Sequence, residues 1–237
     1  MPPSVAALTG GELLAPVWRN QLGGLTWQLG DDARRRFVKW APAGSRLPIG
    51  DEVERLRWAA EFTPVPVVLA HDRDDDGEWL VTAGLPWRNA VDPRWLADPL
   101  TAVRAVGVGL RALHDALPVD RCPFDWSVGA RLAESRAVPG AELPAGLLDV
   151  PDVDLLVVCH GDACAPNTLV SDEGACSGHV DLGSLGVADR WADLAVATWS
   201  TTWNYGPGWE RPLLEAYGVD PDPERMAYYR LLWDAGP

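Results

Sequence analysis

The stretch Cys159–Leu185, CHGDACAPNTLVSDEGACSGHVDLGSL, constrains the fold more than any other in this 237-residue chain. An apolar run, Leu155–Val158, reads as a buried strand that delivers His160-Gly161-Asp162 at its end. Asn167 follows that aspartate by five residues, and Thr168–Val170 reads as a second strand. Past a polar turn, His179-Val180 leads into Asp181-Leu182-Gly183. Two carboxylates and a carboxamide are thus carried to loop positions at strand ends, and Gly183 gives the chain freedom to turn after the second carboxylate.

Those residue types in that order suit phosphoryl transfer. A hydroxyl attacking a phosphoryl group needs an acceptor for its hydrogen bond and proton, and Asp162 is the candidate catalytic group. A nucleoside triphosphate, ATP or GTP, travels with Mg²⁺, a hard cation that prefers oxygen ligands; Asn167 and Asp181 are the candidate ligands. Aspartate, asparagine five later, then Asp-x-Gly beyond a hairpin is also the spacing of the protein-kinase catalytic loop and its metal-binding aspartate.

Composition narrows the partners. With 47% hydrophobic and 23% charged residues the chain reads as globular, and its length allows a core in one or two lobes. No apolar run reaches the length of a membrane span, and MPPSVAALTG lacks a basic region followed by an apolar core, so a cytoplasmic protein is expected. Four cysteines are too few for a disulfide framework in a chain this long. A net charge of −14 argues against nucleic acid as a partner and suits a cationic small molecule. A monomer or weak dimer is expected.

Upstream, Asn20–Trp27 reads as a glycine-containing hairpin around Gly23-Gly24, Asp31-Asp32 as a turn, and Arg36–Trp40 as a strand carrying Lys39. In an ATP site a glycine hairpin lets backbone approach the phosphates, and a strand lysine contacts them. Asp51–Phe62 reads as a helix with Val53, Leu56 and Ala60 in its apolar stripe; Glu52 and Glu54 are the candidate partners for Lys39. Val65–Ala70 and Glu78–Thr82 read as strands running into Ala83-Gly84-Leu85-Pro86, a hinge whose backbone could meet an adenine edge near Thr82 and Gly84. Asp92–Leu117 has a helical pattern with a start at Asp98-Pro99, and His114 near its end reads as structural. Ser127–Ala137 is helical, residues 139–151 loop-like, and Trp191–Trp203, Trp209–Tyr217 and Pro223–Trp233 helical. Asp189 and Asp193 read as lying at a helix start, capping it and pairing with Arg190, with Asp193 and His160 bracing the catalytic loop.

The stretches NQLGGLTWQL, RFVKW, DEVERLRWAA, LRALHDALPVDRCPFD, VVCHGDACAPNTLV, GHVDLGSLGVADRWADLA and MAYYRLLWD together resemble the aminoglycoside 3′-phosphotransferases, or kanamycin kinases, which are relatives of the protein kinases. The resemblance implies an α+β, two-lobed kinase-like fold: a small antiparallel-sheet nucleotide-binding lobe over 1–84 and a larger, mainly helical catalytic and substrate-binding lobe over 85–237. It implies ATP or GTP with Mg²⁺ and phosphorylation of an aminoglycoside hydroxyl, the 3′-OH by family, conferring antibiotic resistance. It carries Asp162 over as catalytic base, Asn167 and Asp181 as Mg²⁺ ligands, Lys39 as the phosphate contact and Glu52 as its partner.

Three departures lie on the substrate side. The family motif usually continues Asp-x-Gly-Arg, where this chain has Ser184. The family's acidic, aromatic C-terminus is replaced by Leu231-Leu232-Trp233-Asp234-Ala235-Gly236-Pro237, and the acidic interval from Cys122 to His160 is shorter. Glu134, Glu142, Asp149, Asp152, Asp154 and Asp234 are the candidates for gripping ammonium groups. A different hydroxylated antibiotic or an amino alcohol is the alternative substrate. A zinc protein using Cys159, Cys164, Cys176 and His179 is the alternative of another class, and it leaves Asp162, Asn167 and Asp181 without roles.

Overall fold

A computed structural model describes residues 3–9, 14–19, 23–31, 34–45, 47–137 and 143–236; Asn20–Leu22, Asp32 and Glu142 of the readings above lie outside them. The chain divides into two compact units, Met1–Pro86 and Trp87–Pro237.

In the first unit a short helix, α1 (Pro3–Leu8), precedes three strands, β1 (Leu14–Arg19), β2 (Leu25–Leu29) and β3 (Arg36–Pro42). Helix α2 (Ile49–Ala59) then leads to β4 (Val68–Arg73) and β5 (Gly77–Ala83), and the strands form one antiparallel sheet in the order β1-β2-β3-β5-β4. Strand alternation explains its faces: Val38 is 1% exposed and packs with Val5, Leu29 and Val81, while Lys39 points the other way, in register with Thr26 and Leu80. Trp27, Trp40 and Trp79 pack around that small core. Helix α2 buries Ile49, Val53, Leu56 and Ala59 at helical spacing, and Glu52 lies in the same buried stripe. A carboxylate there needs a partner.

The second unit begins with β6 (Arg88–Asn89), then α3 (Pro93–Leu96) and α4 (Pro99–Ala116). The helical pattern over 92–117 is two helices, and the expected start at Asp98-Pro99 is that of the second, where Asp98 accepts from the Thr101 amide and Pro99 fills the first turn. Helix α5 (Val128–Arg136), capped by Ser127, precedes β7 (Leu156–Cys159), β8 (Thr168–Val170), β9 (Cys176–His179) and β10 (Gly186–Asp189). Strands β6, β8 and β9 form one small sheet and β7 pairs with β10.

Strand β10 was not read from the sequence: Gly186–Asp189, just before the expected helix start, runs antiparallel to β7, Val187 opposite Val158. The helix begins only at Trp191, where Asp189 Oδ1 accepts the amide. Helix α6 (Trp191–Tyr205) is buried on nearly every side, and α7 (Glu210–Tyr217) and α8 (Pro223–Asp234) complete the unit. An antiparallel-sheet N-terminal part and a helical C-terminal part are the kinase-like architecture expected. Among the described residues no helix is long and apolar enough to cross a membrane.

Candidate active site

The buried carboxylate of α2 has its partner. Lys39 Nζ on β3 lies 2.6 Å from Glu52 Oε2, with the two side chains 26% and 9% exposed. Glu54, the other candidate, faces solvent. Lys39 is also the single lysine among the chain's 20 basic residues, a signal the spacing argument did not use. Its ammonium is a compact point charge, unlike the planar guanidinium of the chain's other basic residues.

Gly23 is left-handed (φ +89) at the approach to β2, and Gly24 beside it is buried. Thr82 is buried in β5, in register with Phe37 and Val68. Gly84 differs from expectation. Its N–H donates to the Arg35 carbonyl at 2.7 Å, and a Cβ there would come within 2.9 Å of that oxygen. Arg35 Nη2 donates in turn to the Leu85 carbonyl. These hinge groups therefore close onto the sheet, and Gly84 serves that close approach instead of presenting its amide.

In the second unit β7 ends at Cys159 and the chain turns through Gly161 (φ +83), where a Cβ would fall 2.1 Å from the Ser184 carbonyl oxygen. No other residue fits. That approach brings the loop bearing Asp162 against the loop bearing Asp181. Both backbone groups of Val180, immediately before Asp181, add to the tie. Its carbonyl accepts from His160 Nε2 at 3.0 Å, and its N–H donates to the Asn167 carbonyl at 3.0 Å. His160 Nδ1 then accepts the Asp162 amide at 3.2 Å, so both ring nitrogens of a fully buried histidine are occupied in bracing the loop.

Asp181 itself takes the left-handed conformation (φ +62), not Gly183 as expected, and its side chain is exposed. Aspartate is one of the few residues that tolerate this region. Asn167 Nδ2 donates to the Asp162 carbonyl at 2.9 Å, which leaves the amide oxygen as the end it presents elsewhere. Asp162 Oδ1 is buried with no hydrogen-bond partner. Burial raises the Asp162 carboxyl above the usual range; a hydrogen bond from the Cys164 thiol opposes this and the charge of Asp181 adds to it.

Helix α6 fixes the loop from beneath. Asp193, fully buried, accepts the amides of His160 (2.6 Å, Oδ2) and Gly161 (2.9 Å, Oδ1), and His114 Nε2 lies 2.9 Å from Oδ2. Burial pushes this carboxyl up, but the His114 hydrogen bond and the loop amide of Gly161 oppose it, and the carboxyl is held below the usual range. Two helical turns later Ser200 Oγ accepts the Ala165 amide at 2.9 Å. The Asp193–His114 contact joins residues far apart in sequence, and Ser200 carries no motif, so neither partner was read from the chain.

Arg190 was expected to pair with Asp189 or Asp193; its Nε pairs instead with Asp154 Oδ2 at 2.7 Å. Trp191 Nε1 donates to the same oxygen, and Asp189 accepts the Asp154 amide, so Asp154 is built into the β10–α6 corner. Arg225 donates to the Asp152 carbonyl, while the carboxylates of Glu134, Asp149, Asp152 and Asp234 face solvent. The zinc alternative finds no common centre: Cys159 Sγ donates to the Asp189 carbonyl, and Cys176 packs against Gly109. Among the described residues the one group with metal-ligand spacing is His114, Cys159 and Asp193, whose histidine and carboxylate already bond to each other and to the loop.

The family model for the phosphotransferase enzyme family matches residues 19–229. An aminoglycoside 3′-phosphotransferase of Streptomyces fradiae is 35% identical over 81% of this chain and 81% of its own. A streptomycin 3″-kinase of Streptomyces griseus is 36% identical over 93% and 90%. Among solved structures, a type VIII aminoglycoside-3′-phosphotransferase superposes with a TM-score of 0.82 at 31% identity, covering 98% of this chain and 97% of that one. The aminoglycoside phosphotransferase APH(3″)-Id from Streptomyces rimosus, in complex with ADP and streptomycin, gives 0.76 at 26% identity and 99% coverage of each. With its kinase-like fold, the Lys39–Glu52 pair and the braced Asp162 loop, the chain belongs to the phosphotransferase enzyme family.

Proposed function

We propose that this enzyme transfers the γ-phosphoryl group of ATP or GTP to a hydroxyl of an aminoglycoside, with the 3′-OH as first assignment. The observation that carries the reading is the carboxylate of Asp162, its Oδ1 buried without a partner on a loop pinned by Asp193 and His160. That one oxygen is left to accept from outside the chain, and a substrate hydroxyl is such a donor. Asp162 orients that hydroxyl and takes its proton as the bond to phosphorus forms. Lys39, steadied by Glu52, holds the phosphates as a point charge, and the left-handed turn at Gly23 lets backbone come close to them.

The donor set suits Mg²⁺. Asp181 presents an exposed carboxylate, Asn167 an amide oxygen, and both are hard oxygen ligands beside the Asp162 loop. Bound there with the nucleotide, the ion would neutralise charge that builds on the phosphoryl oxygens. The ADP complex of the Streptomyces rimosus relative supports a nucleotide donor. A cytoplasmic location fits a nucleotide-dependent enzyme.

For the substrate, the solvent-facing acids of the second unit are the recognition groups. Asp234 sits in the last turn of α8, where the helix dipole disfavours an anion, so its presence asks for a cation nearby. Asp149 and Glu224 rim a recess beside Tyr228, a setting that suits an ammonium group. A second reading, transfer to the 3″-OH of streptomycin, is favoured by the Streptomyces griseus kinase, which matches at the same level of identity as the 3′ enzyme. The deciding experiment is nucleoside-diphosphate release with ATP and GTP against kanamycin, 3′-deoxy aminoglycosides and streptomycin. Turnover of kanamycin but not of 3′-deoxy drugs supports the first assignment, and turnover of streptomycin alone supports the second. Turnover of none would overturn the aminoglycoside reading.

A further inference from the structure

Tyr217 is the last residue of α7, 2% exposed, with its hydroxyl 2.8 Å from His114 Nδ1. The ring meets His114 edge-on at 5.6 Å and 72°, and Arg111 lies over it at 5.7 Å while bonding Asp115. Close packing of α7 on α4 brings the two together. Gly107, two turns before His114, lies where a Cβ would come within 2.5 Å of the Leu213 carbonyl.

Polarity runs one way through this chain of contacts. Asp193 accepts from two loop amides, one on each carboxylate oxygen, so His114 Nε2 beside Oδ2 must be a donor. In a neutral imidazole Nδ1 is then an acceptor, and the Tyr217 hydroxyl is its donor. The opposite tautomer would turn a lone pair toward the Asp193 carboxylate and leave a buried acceptor pair without a proton.

We propose that Tyr217 is a positioning residue for phosphoryl transfer: its hydroxyl holds His114 as the Nε2–H tautomer, which keeps Asp193 aligned on the amides of His160 and Gly161 beside Asp162. The inference rests on the reading of Asp162 as the catalytic group. Tyr217 reaches the Asp162 loop through His114 and Asp193, so its effect falls on the geometry of the loop and not on binding.

The test has one arm that needs no activity. With four histidines in the chain, long-range ¹H–¹⁵N correlation on the wild-type protein resolves the His114 tautomer. Proton on Nε2 is expected; proton on Nδ1, or an imidazolium at neutral pH, overturns the proposal even if the enzyme phosphorylates aminoglycosides. The second arm is Tyr217→Phe, which keeps the ring and its packing. Its kcat should fall about threefold to tenfold, the equivalent of one net hydrogen bond, with nucleotide KM unchanged. Backbone amides of His160 and Gly161 should exchange faster with solvent. Unchanged kcat and unchanged exchange overturn it. Should wild-type enzyme turn over no aminoglycoside, the functional reading fails while the tautomer and exchange results still decide the role of Tyr217.

Discussion

Asp162 carries a cost at neutral pH that its chemistry explains. An ionised carboxylate with one oxygen buried and unpartnered is harder to hold than a neutral group, which is why its pKa is raised. A folded-state pKa above the unfolded value adds stability below the ordinary carboxylate range, and that stability disappears as pH rises through the raised value. Asparagine imitates the protonated form. Asp162→Asn should therefore lower kcat by roughly 10²–10⁴-fold while raising the melting temperature at pH 7, and the gain should shrink near pH 4. A thermal-shift series across pH alongside turnover checks both signs; a variant less stable than wild type at pH 7 would contradict the strain. The three polar residues at this site were legible because they lie within one short segment at fixed spacing. Asp193 was legible as a brace but not its partner: His114 stands 79 positions away, and only packing brings the two within 2.9 Å. Tyr217 was invisible for the same reason.

At the scale of elements, α6 acts as a straight edge against which an irregular loop is set. Asp193 and Ser200 are seven residues apart, two turns on one face, and together they accept amides from both halves of the loop. Ser200→Ala removes the acceptor of the Ala165 amide, two positions before Asn167, and leaves that N–H buried and unmet at about 1–3 kcal/mol. Asn167 should lose its alignment with Asp162, so kcat and Mg²⁺-nucleotide affinity should both drop severalfold, and Ser200→Thr should restore most of the loss. A wild-type affinity in Ser200→Ala, measured by calorimetry, would show that the amide finds another acceptor. The long helices α4, α6 and α8 were readable because their apolar spacing repeats over several turns. Strand β10 was not. Its four residues give no alternation to detect, and Asp189, capping the next helix, makes the segment look like that helix's beginning.

For the molecule as a whole, the charge of −14 acts on the two substrates in opposite senses. An aminoglycoside carries several ammonium groups and is drawn toward exposed carboxylates such as Asp149, Asp152 and Asp234; a nucleoside triphosphate is anionic and is held off by the same field. Salt screens both, with a Debye length of about 10 Å at 0.1 M that shrinks toward about 3 Å at 1 M. Raising KCl from about 50 to 500 mM should therefore increase KM for the cationic drug severalfold, a range over which exposed charges lose most of their reach. Over the same range KM for the nucleotide should stay level or fall, because Lys39 and its ion pair with Glu52 act at short range and are partly shielded from solvent. The change in kcat should be small, since Asp162 Oδ1 and the groups that brace the loop, His160 and Asp193, are buried. Steady-state kinetics at each salt concentration, with one substrate saturating in turn, separates the terms. If both KM values rise together, the salt is disturbing the fold or the Mg²⁺ site and the acidic surface has no part in capture. If only the drug's KM rises, the acids around α8 are the place to map its ammonium groups, and Asp234→Asn should reproduce part of the high-salt KM at low salt.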